Sequence, residues 1–203
     1  MRTKRCAMAL TNGEHWVSPT IKKSDLTFPL TTEDKIRIFE DRVIGWQLSI
    51  GLACYQNVPH GGFGALYISL SYFEMIARYM QGSIDHSKAG NKFRNGFKHF
   101  AAAVGFAMDP TYSTVRDLLY EGARCGLYHV GMTSKRVFIG GNRPQMFDYD
   151  ASLGRLVMDA DKLIAAMISH FHRYIADLRI PANTALRTRF LTKFDHDILP
   201  QFM

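Results

Sequence analysis

The sequence predicts a mainly α protein, a helical bundle with a small β-hairpin flap. The chain has 203 residues, of which 47% are hydrophobic and 12% aromatic, which is enough apolar material for one domain with a real core. Apolar residues recur at steps of three and four along six long segments, which is the period of amphipathic helices. Only between about residues 135 and 158 does the pattern change to short β-prone runs.

Three regions follow from this pattern. Residues 1–30 carry two prolines and no clear period, so we expect an extended N-terminal arm. Residues 31–178 form the bundle, with the flap at about 135–158, and residues 179–203 add a C-terminal helix.

The first helix is predicted over residues 31–56. Thr31 or Thr32 can cap it, and Glu33 and Asp34 stand in its first turn, where the helix dipole favours negative charge. Its expected buried stripe is Ile36, Phe39, Val43, Trp46 and Ile50.

Three more helices follow, over residues 65–82, 91–108 and 112–131. Gly82 suits the end of the second helix, and Asp109-Pro110 is expected to end the third. Ser113 or Thr114 is expected to cap the fourth.

The flap and two last helices complete the chain. Residues 136–139 and 155–158 are β-prone, and the glycines, asparagine and proline between them predict a hairpin or two-stranded flap. The last two helices are predicted over residues 159–180 and 183–199, with Asp159 or Asp161 capping the first of them.

The net charge and the cysteine content narrow the classes of function that the chain can have. A formal net charge of +7 favours an anionic partner, nucleic acid or an acidic protein, although the basic residues are dispersed and an ordinary basic protein remains the alternative. Three separated cysteines without a CxxC predict neither a zinc site nor a disulfide framework and suit a reducing cytoplasm. No apolar stretch reaches the ~18 residues of a membrane span. We therefore expect no metal, no cofactor and no membrane association.

The stretch YEGARCGLYHVG places Arg124 and His129 five positions apart near a helix end. Arginine offers a planar fork of donors that matches phosphate oxygens, and histidine can move a proton at neutral pH. RNA supplies its own nucleophile, the 2′-hydroxyl, so cleavage needs little more than such a pair and no metal. Gly126 and Gly131 allow the backbone to bend or end there, which would bring His129 back towards Arg124.

Two further arginine–histidine pairs and one tyrosine are also candidates for contact with RNA. Arg94 and His99 have the same spacing, with Asn95 between them as a further candidate phosphate contact, but their phenylalanine-rich surroundings also fit a core stripe with a basic edge. Arg189 precedes His196 at a similar distance, so spacing alone decides nothing. Tyr128 can stack on a base, or can equally be a core or interface aromatic.

The segments LLYEGARCGLYHVGMTSKRVFI and DADKLIAAMISHFHRYIADL together resemble the HEPN superfamily, especially its Apea-like branch. Shared features are a helical bundle with an Arg-x4–6-His signature near the end of a core helix, a following glycine, a β-prone stretch and a closing helix. The resemblance covers about residues 60–178.

This resemblance implies a homodimer in which two Arg–His pairs meet across a cleft, and metal-independent RNA cleavage that leaves a 2′,3′-cyclic phosphate. Arg124 would hold the scissile phosphate, and His129 would act as general acid or base. The setting would be toxin–antitoxin, anti-phage or CRISPR defence, with a cognate antitoxin or defence-system protein as a possible partner.

Cys125 stands where active HEPN proteins usually carry Asn, Asp or His after the arginine. A non-catalytic HEPN-like binding protein, such as an antitoxin or scaffold, is therefore the alternative, and a helical structural protein without a specific ligand is a third. An enzyme predicts Arg124 and His129 converging on a positively charged cleft. A binding protein predicts that cleft filled, or the pair facing apart.

Overall fold

The predicted helical bundle with a small β element is confirmed by the computed structural model, which describes residues 15–85, 87–106 and 110–202, with Pro110 described by its backbone alone. The helices are α1 (Thr32–Arg42), α2 (Ser49–Asn57), α3 (Gly62–Ser69), α4 (Ser71–Gln81), α5 (Ala89–Ala103), α6 (Pro110–Asp117), α7 (Gly126–Val130), α8 (Ala160–Arg179) and α9 (Thr184–Asp197). None of these described helices combines the length and apolar character needed to cross a membrane.

Two of the predicted long helices contain a π segment, in which hydrogen bonds run from residue i to residue i+5. Val43–Leu48 joins α1 to α2, and Leu118–Cys125 joins α6 to α7. The predicted second helix is instead divided into α3 and α4 at Leu70. The Arg124–His129 stretch thus begins in a π segment and ends in α7.

The π segment after α1 changes which residues are buried. Val43 lies inside as predicted, but Trp46 and Ile50 are 39% and 38% exposed. Leu48 and Gly51 are buried in their place. The expected stripe is therefore wrong beyond Val43, because the π segment takes up one extra residue and moves the inward face one position along the chain.

The fourth helix begins earlier than the sequence suggested. It starts at Pro110, where the fixed φ of proline suits a first turn and its missing N–H is not needed. Ser113 and Thr114 lie within α6 and are not its caps, so that prediction is wrong. The preceding helix, α5, ends at Ala103 rather than at Asp109-Pro110.

The β element is a three-stranded sheet of β1 (Val137–Gly140), β2 (Phe147–Asp150) and β3 (Arg155–Asp159), in the order β1-β3-β2. The hairpin is formed by β2 and β3, which pair antiparallel. The two predicted strands are both present, but β1 pairs with β3 in parallel. The sequence FDYD did not reveal β2, since aspartate is depleted in strands.

One hydrophobic core connects all these elements. The buried residues of α9, such as Phe190, and those of the arm, such as Val17, belong to the same cluster as α1 to α8. The described part of the arm is held against α1, where the side chain of Arg42 donates from Nε to the carbonyl oxygen of Val17 at 2.6 Å. Residues 1–14 of the predicted arm lie outside the described residues.

Helices α4 and α5 cross closely at Gly96. A Cβ at this position would overlap the carbonyl oxygen of Phe73. Phe73 packs its ring edge-on against Phe93 and Phe97, with centroids 5.1 and 5.4 Å away. This crossing fixes the face of α4 that carries Glu74 relative to α5.

Candidate functional site

Arg124 lies at the end of the Leu118–Cys125 π segment and is held by Glu74 of α4. Its Nε donates to Glu74 Oε1 at 2.7 Å, and the two side chains are only 17% and 14% exposed. Burial by itself favours the neutral guanidine, but the Glu74 carboxylate outweighs it and raises the pKa of Arg124 above its usual value. Arg124 therefore carries a permanent positive charge.

Two aromatic rings also lie close to the guanidinium of Arg124. Its central carbon lies 4.6 Å from the ring centroid of Tyr128 and 6.0 Å from that of Tyr120. Such cation–π contacts strengthen as water is excluded. With Nε bound to Glu74 and the guanidinium carbon over the Tyr128 ring, the position of Arg124 is set from two directions.

Tyr128 in turn stacks on Tyr67 of α3. The two rings are 4.6 Å apart and inclined by only 11°. The Tyr128 hydroxyl also donates to the main-chain oxygen of Tyr67 at 3.2 Å. Both rings keep contact with solvent, with 37% of Tyr128 and 46% of Tyr67 exposed.

At the other end, Tyr120 supports Arg94 of α5. The guanidinium carbon of Arg94 lies 4.7 Å from the Tyr120 ring centroid. Arg94 donates to Asp117 at 2.9 Å and to Glu121 at 3.1 Å. We call the resulting row of five side chains the cation–aromatic ladder; its members are Arg94, Tyr120, Arg124, Tyr128 and Tyr67.

Cys125, the residue after Arg124, lies beside Tyr120 of this ladder. Burial raises the pKa of the Tyr120 hydroxyl, and the neighbouring Cys125 raises it further.

His129 is exposed on α7, directly before the end of the helix. Gly131 follows with a φ of 76°, which ends the helix in the left-handed conformation that glycine favours. No hydrogen bond or ion pair joins His129 to Arg124 or to any other residue that the structure describes. Side chains five positions apart on an α-helix point about 140° apart, so Arg124 and His129 of a single copy of the chain do not converge on one point.

The second candidate pair is divided between two surfaces. Arg94 belongs to the ladder, whereas His99 lies nearer α8, where its charge acts on His170. Burial, and then the charge of Lys98, lower the pKa of His99 below its usual value. Asn95 is exposed between them. Of the residues predicted for RNA contact, the structure therefore joins Arg94, Tyr128 and Arg124, and leaves Asn95 and His99 apart from them.

The charges around the ladder are balanced. Arg94 and Arg124 are matched by Glu121 and Glu74, and Arg116 pairs with Asp117 at 3.0 Å. A ligand here would gain little from net charge and more from stacking and directed hydrogen bonds.

Glu74, Tyr67 and Tyr120 complete the site, and the sequence did not indicate them. Glu74 lies 50 positions before Arg124, and Tyr67 lies 61 positions before Tyr128. The only available signal was that Tyr67 and Glu74 lie off the face of their predicted helix on which Leu66, Leu70, Phe73 and Met80 recur at helical spacing.

Within residues 15–85, 87–106 and 110–202, no three His, Cys, Asp or Glu side chains are arranged to hold a metal ion.

Comparisons of the chain with protein-family models, with curated proteins and with solved structures give no significant match. The function must therefore be argued from the site itself.

Proposed function

We propose that this chain is a metal-independent endoribonuclease of HEPN type that acts in the cytoplasm as a homodimer, with Arg124 and His129 as its working pair. The observation that carries the proposal is how Arg124 is held. Its Nε is bound to Glu74 and its guanidinium carbon lies over the Tyr128 ring, while Nη1 and Nη2 have no hydrogen-bond partner among the described residues. A guanidinium fixed in this way presents a fork for two phosphate oxygens.

The reaction needs only groups that RNA and this site contain. The fork of Arg124 would hold two non-bridging oxygens of the scissile phosphate and offset the charge that builds up there. The neighbouring 2′-hydroxyl would attack phosphorus while the bond to the 5′ oxygen breaks. His129 would accept the proton of the 2′-hydroxyl or supply one to the leaving oxygen. The products are a 2′,3′-cyclic phosphate and a 5′-hydroxyl.

The homodimer follows from the HEPN resemblance and fits the separation of Arg124 and His129 within one copy. A second copy would supply the facing pair, so that an arginine and a histidine from both chains reach one phosphate. The partners of this proposal are RNA, a second copy of the chain and, in a toxin–antitoxin or anti-phage setting, a cognate antitoxin or defence-system protein.

Cleavage of RNA in EDTA tests the proposal directly. Wild type should give cyclic-phosphate ends by mass spectrometry, and Arg124→Ala and His129→Ala should each lose this activity while remaining folded. His172→Ala is the matched control, because the His172 side chain is also exposed, at 53%, but lies on α8. Equal cleavage by wild type and His129→Ala would remove the enzyme proposal.

A non-catalytic HEPN-like binding or scaffold protein, such as an antitoxin, is the second candidate. The Glu74–Arg124 ion pair favours it, because the carboxylate already occupies one edge of the guanidinium and balances its charge, so this site is not the positively charged cleft expected of an enzyme. This candidate predicts a folded wild type that binds RNA or a protein partner without cutting RNA, with or without divalent metal.

A further inference from the structure

We propose that Tyr67 is the stacking platform for an unpaired RNA base, at the exposed end of the cation–aromatic ladder. The proposal rests on the proposed function, since it places RNA at Arg124, and it adds a base-binding surface beside that arginine.

The cation–aromatic ladder extends from the guanidinium of Arg124 to the exposed ring of Tyr67. The Tyr67 ring lies parallel to the Tyr128 ring at 4.6 Å, and the guanidinium carbon of Arg124 lies 4.6 Å from the same Tyr128 centroid. Tyr128 thus connects Arg124 to Tyr67. Tyr67, with 46% of its surface exposed, is the ring on which a further flat group can stack.

The platform is fixed before any ligand arrives. The Tyr128 hydroxyl donates to the main-chain oxygen of Tyr67 at 3.2 Å, which holds the two rings in register. Tyr67 itself stands on a helix whose neighbouring residue, Leu66, is fully buried. Little conformational entropy is left for a stacking ligand to remove, which favours binding.

An unpaired base is the ligand that fits this surface. Bases of single-stranded RNA can be splayed out and stacked on tyrosine rings and arginine planes, whereas bases inside a duplex cannot reach a side chain. The carboxylates beside Arg94 and Arg124 balance the local charge, so net charge adds little affinity beyond the one phosphate that Arg124 would hold. Most of the remaining binding free energy must then come from stacking, which depends little on the base sequence.

Binding of RNA to the His129→Ala protein tests the proposal without cleavage. Fluorescence anisotropy would compare a short unpaired oligonucleotide with a fully paired hairpin, in EDTA. Tyr67→Ala should weaken binding of the unpaired RNA about 10-fold, within the range measured for one stacked base. Tyr67→Phe should bind like the parent, because the ring is kept and the main-chain acceptor for Tyr128 is unchanged.

Two further variants separate loss of the flat Tyr67 ring from loss of any exposed apolar side chain. Tyr67→Leu retains an apolar side chain without a flat ring, so it should weaken binding as much as Tyr67→Ala. Phe138→Ala removes another exposed aromatic ring, 42% exposed on β1, and should leave binding unchanged. Circular dichroism establishes that each variant is folded before affinities are compared.

Each outcome has a separate meaning. If Arg124→Ala weakens RNA binding and Tyr67→Ala does not, the stacking platform is wrong and the proposed function stands. If neither the parent nor its Arg124→Ala variant binds RNA, the proposed function fails and the platform fails with it. If Tyr67→Ala turns a dimer into a monomer and weakens unpaired and paired RNA alike, the Tyr67 face is an interface between copies, and the platform is overturned.

Discussion

Arg124 Nε and Glu74 Oε1 lie 2.7 Å apart across 50 positions of sequence, and less than a fifth of either side chain is exposed. This pair ties the Leu118–Cys125 π segment to α4. Removing one member of a shielded ion pair leaves the other charge without compensation, which costs more than the pair itself contributes.

We therefore expect Glu74→Ala to lower the free energy of unfolding by about 2 kcal/mol, and Glu74→Gln to lower it less, because the amide oxygen can still accept from Arg124. Urea unfolding at neutral pH measures both. Glu121→Ala is the control: the Glu121 side chain is 70% exposed, and loss of such a surface pair should cost no more than about 1 kcal/mol. Equal losses for Glu74→Ala and Glu121→Ala would contradict the structural role of Glu74.

His170 should make the fold sensitive to mild acid. Its Nδ1 is hydrogen-bonded to the Tyr72 hydroxyl at 2.6 Å, and burial, aided by the charges of Arg173 and His99, lowers its pKa to about 4. The unfolded histidine has a pKa of about 6.5. Between these two pH values the histidine is protonated in the unfolded chain and neutral in the folded chain. The free energy of unfolding therefore falls as the pH drops from about 6.5 to about 4.

From pH 7 to pH 5 this one residue should remove about 2 kcal/mol from the free energy of unfolding. His170→Gln should reduce the loss between the two pH values by that amount, although it lowers stability at pH 7. Urea unfolding at both pH values measures this, and an unchanged pH dependence in His170→Gln would contradict the assignment.

Gly96 should not tolerate a methyl group. A Cβ there would overlap the Phe73 carbonyl oxygen, so α4 and α5 would have to move apart. We expect Gly96→Ala to cost about 1–3 kcal/mol, in spite of the higher helix propensity of alanine. Gly64→Ala is the matched control in α3, where the nearest atom to the added Cβ would be Cys54 Sγ at an ordinary 3.5 Å. Thermal unfolding should show Gly64→Ala at or above wild type.

Thr31, rather than Thr32, should cap α1. Thr31 Oγ1 accepts from the Asp34 amide at 3.1 Å, and the Asp34 carboxylate accepts from the Thr31 amide at 3.1 Å, which is a capping box. Thr31→Ala should therefore lower the free energy of unfolding by about 1 kcal/mol. Thr32→Ala should change it little. The opposite order in urea unfolding would place the cap at Thr32.

The helical bundle was predictable because most apolar residues that recur at helical spacing are buried. In the fourth predicted helix these residues are Val115, Leu118, Leu119, Ala123 and Leu127, all of them buried although a π segment spans residues 118–125. The first helix was predictable only as far as Val43, since nothing in its composition indicates the change to π hydrogen bonding after that residue. The pairing of β1 with β3 also escaped prediction, because two β-prone runs show that strands exist without showing which strands are neighbours.

The candidate site was predictable only where it is local in sequence. Arg124, Tyr128 and His129 lie within six positions, and a motif can be read there. Tyr67 reaches Tyr128 only after α3 has packed beside α7 and the π segment, and Glu74 reaches Arg124 only after the fold has brought α4 to the same place. A single sequence carries no signal for such distant pairs.

The π segment between α1 and α2 makes this helix tolerant of one particular change in length. It takes up one residue more than an α-helix needs, so loss of one codon from residues 44–47 would allow a continuous α-helix with Leu48 and Gly51 still facing the core. The same loss near the middle of α8, which is an α-helix throughout, would instead turn every later residue by about 100° and carry its buried side chains out of the core.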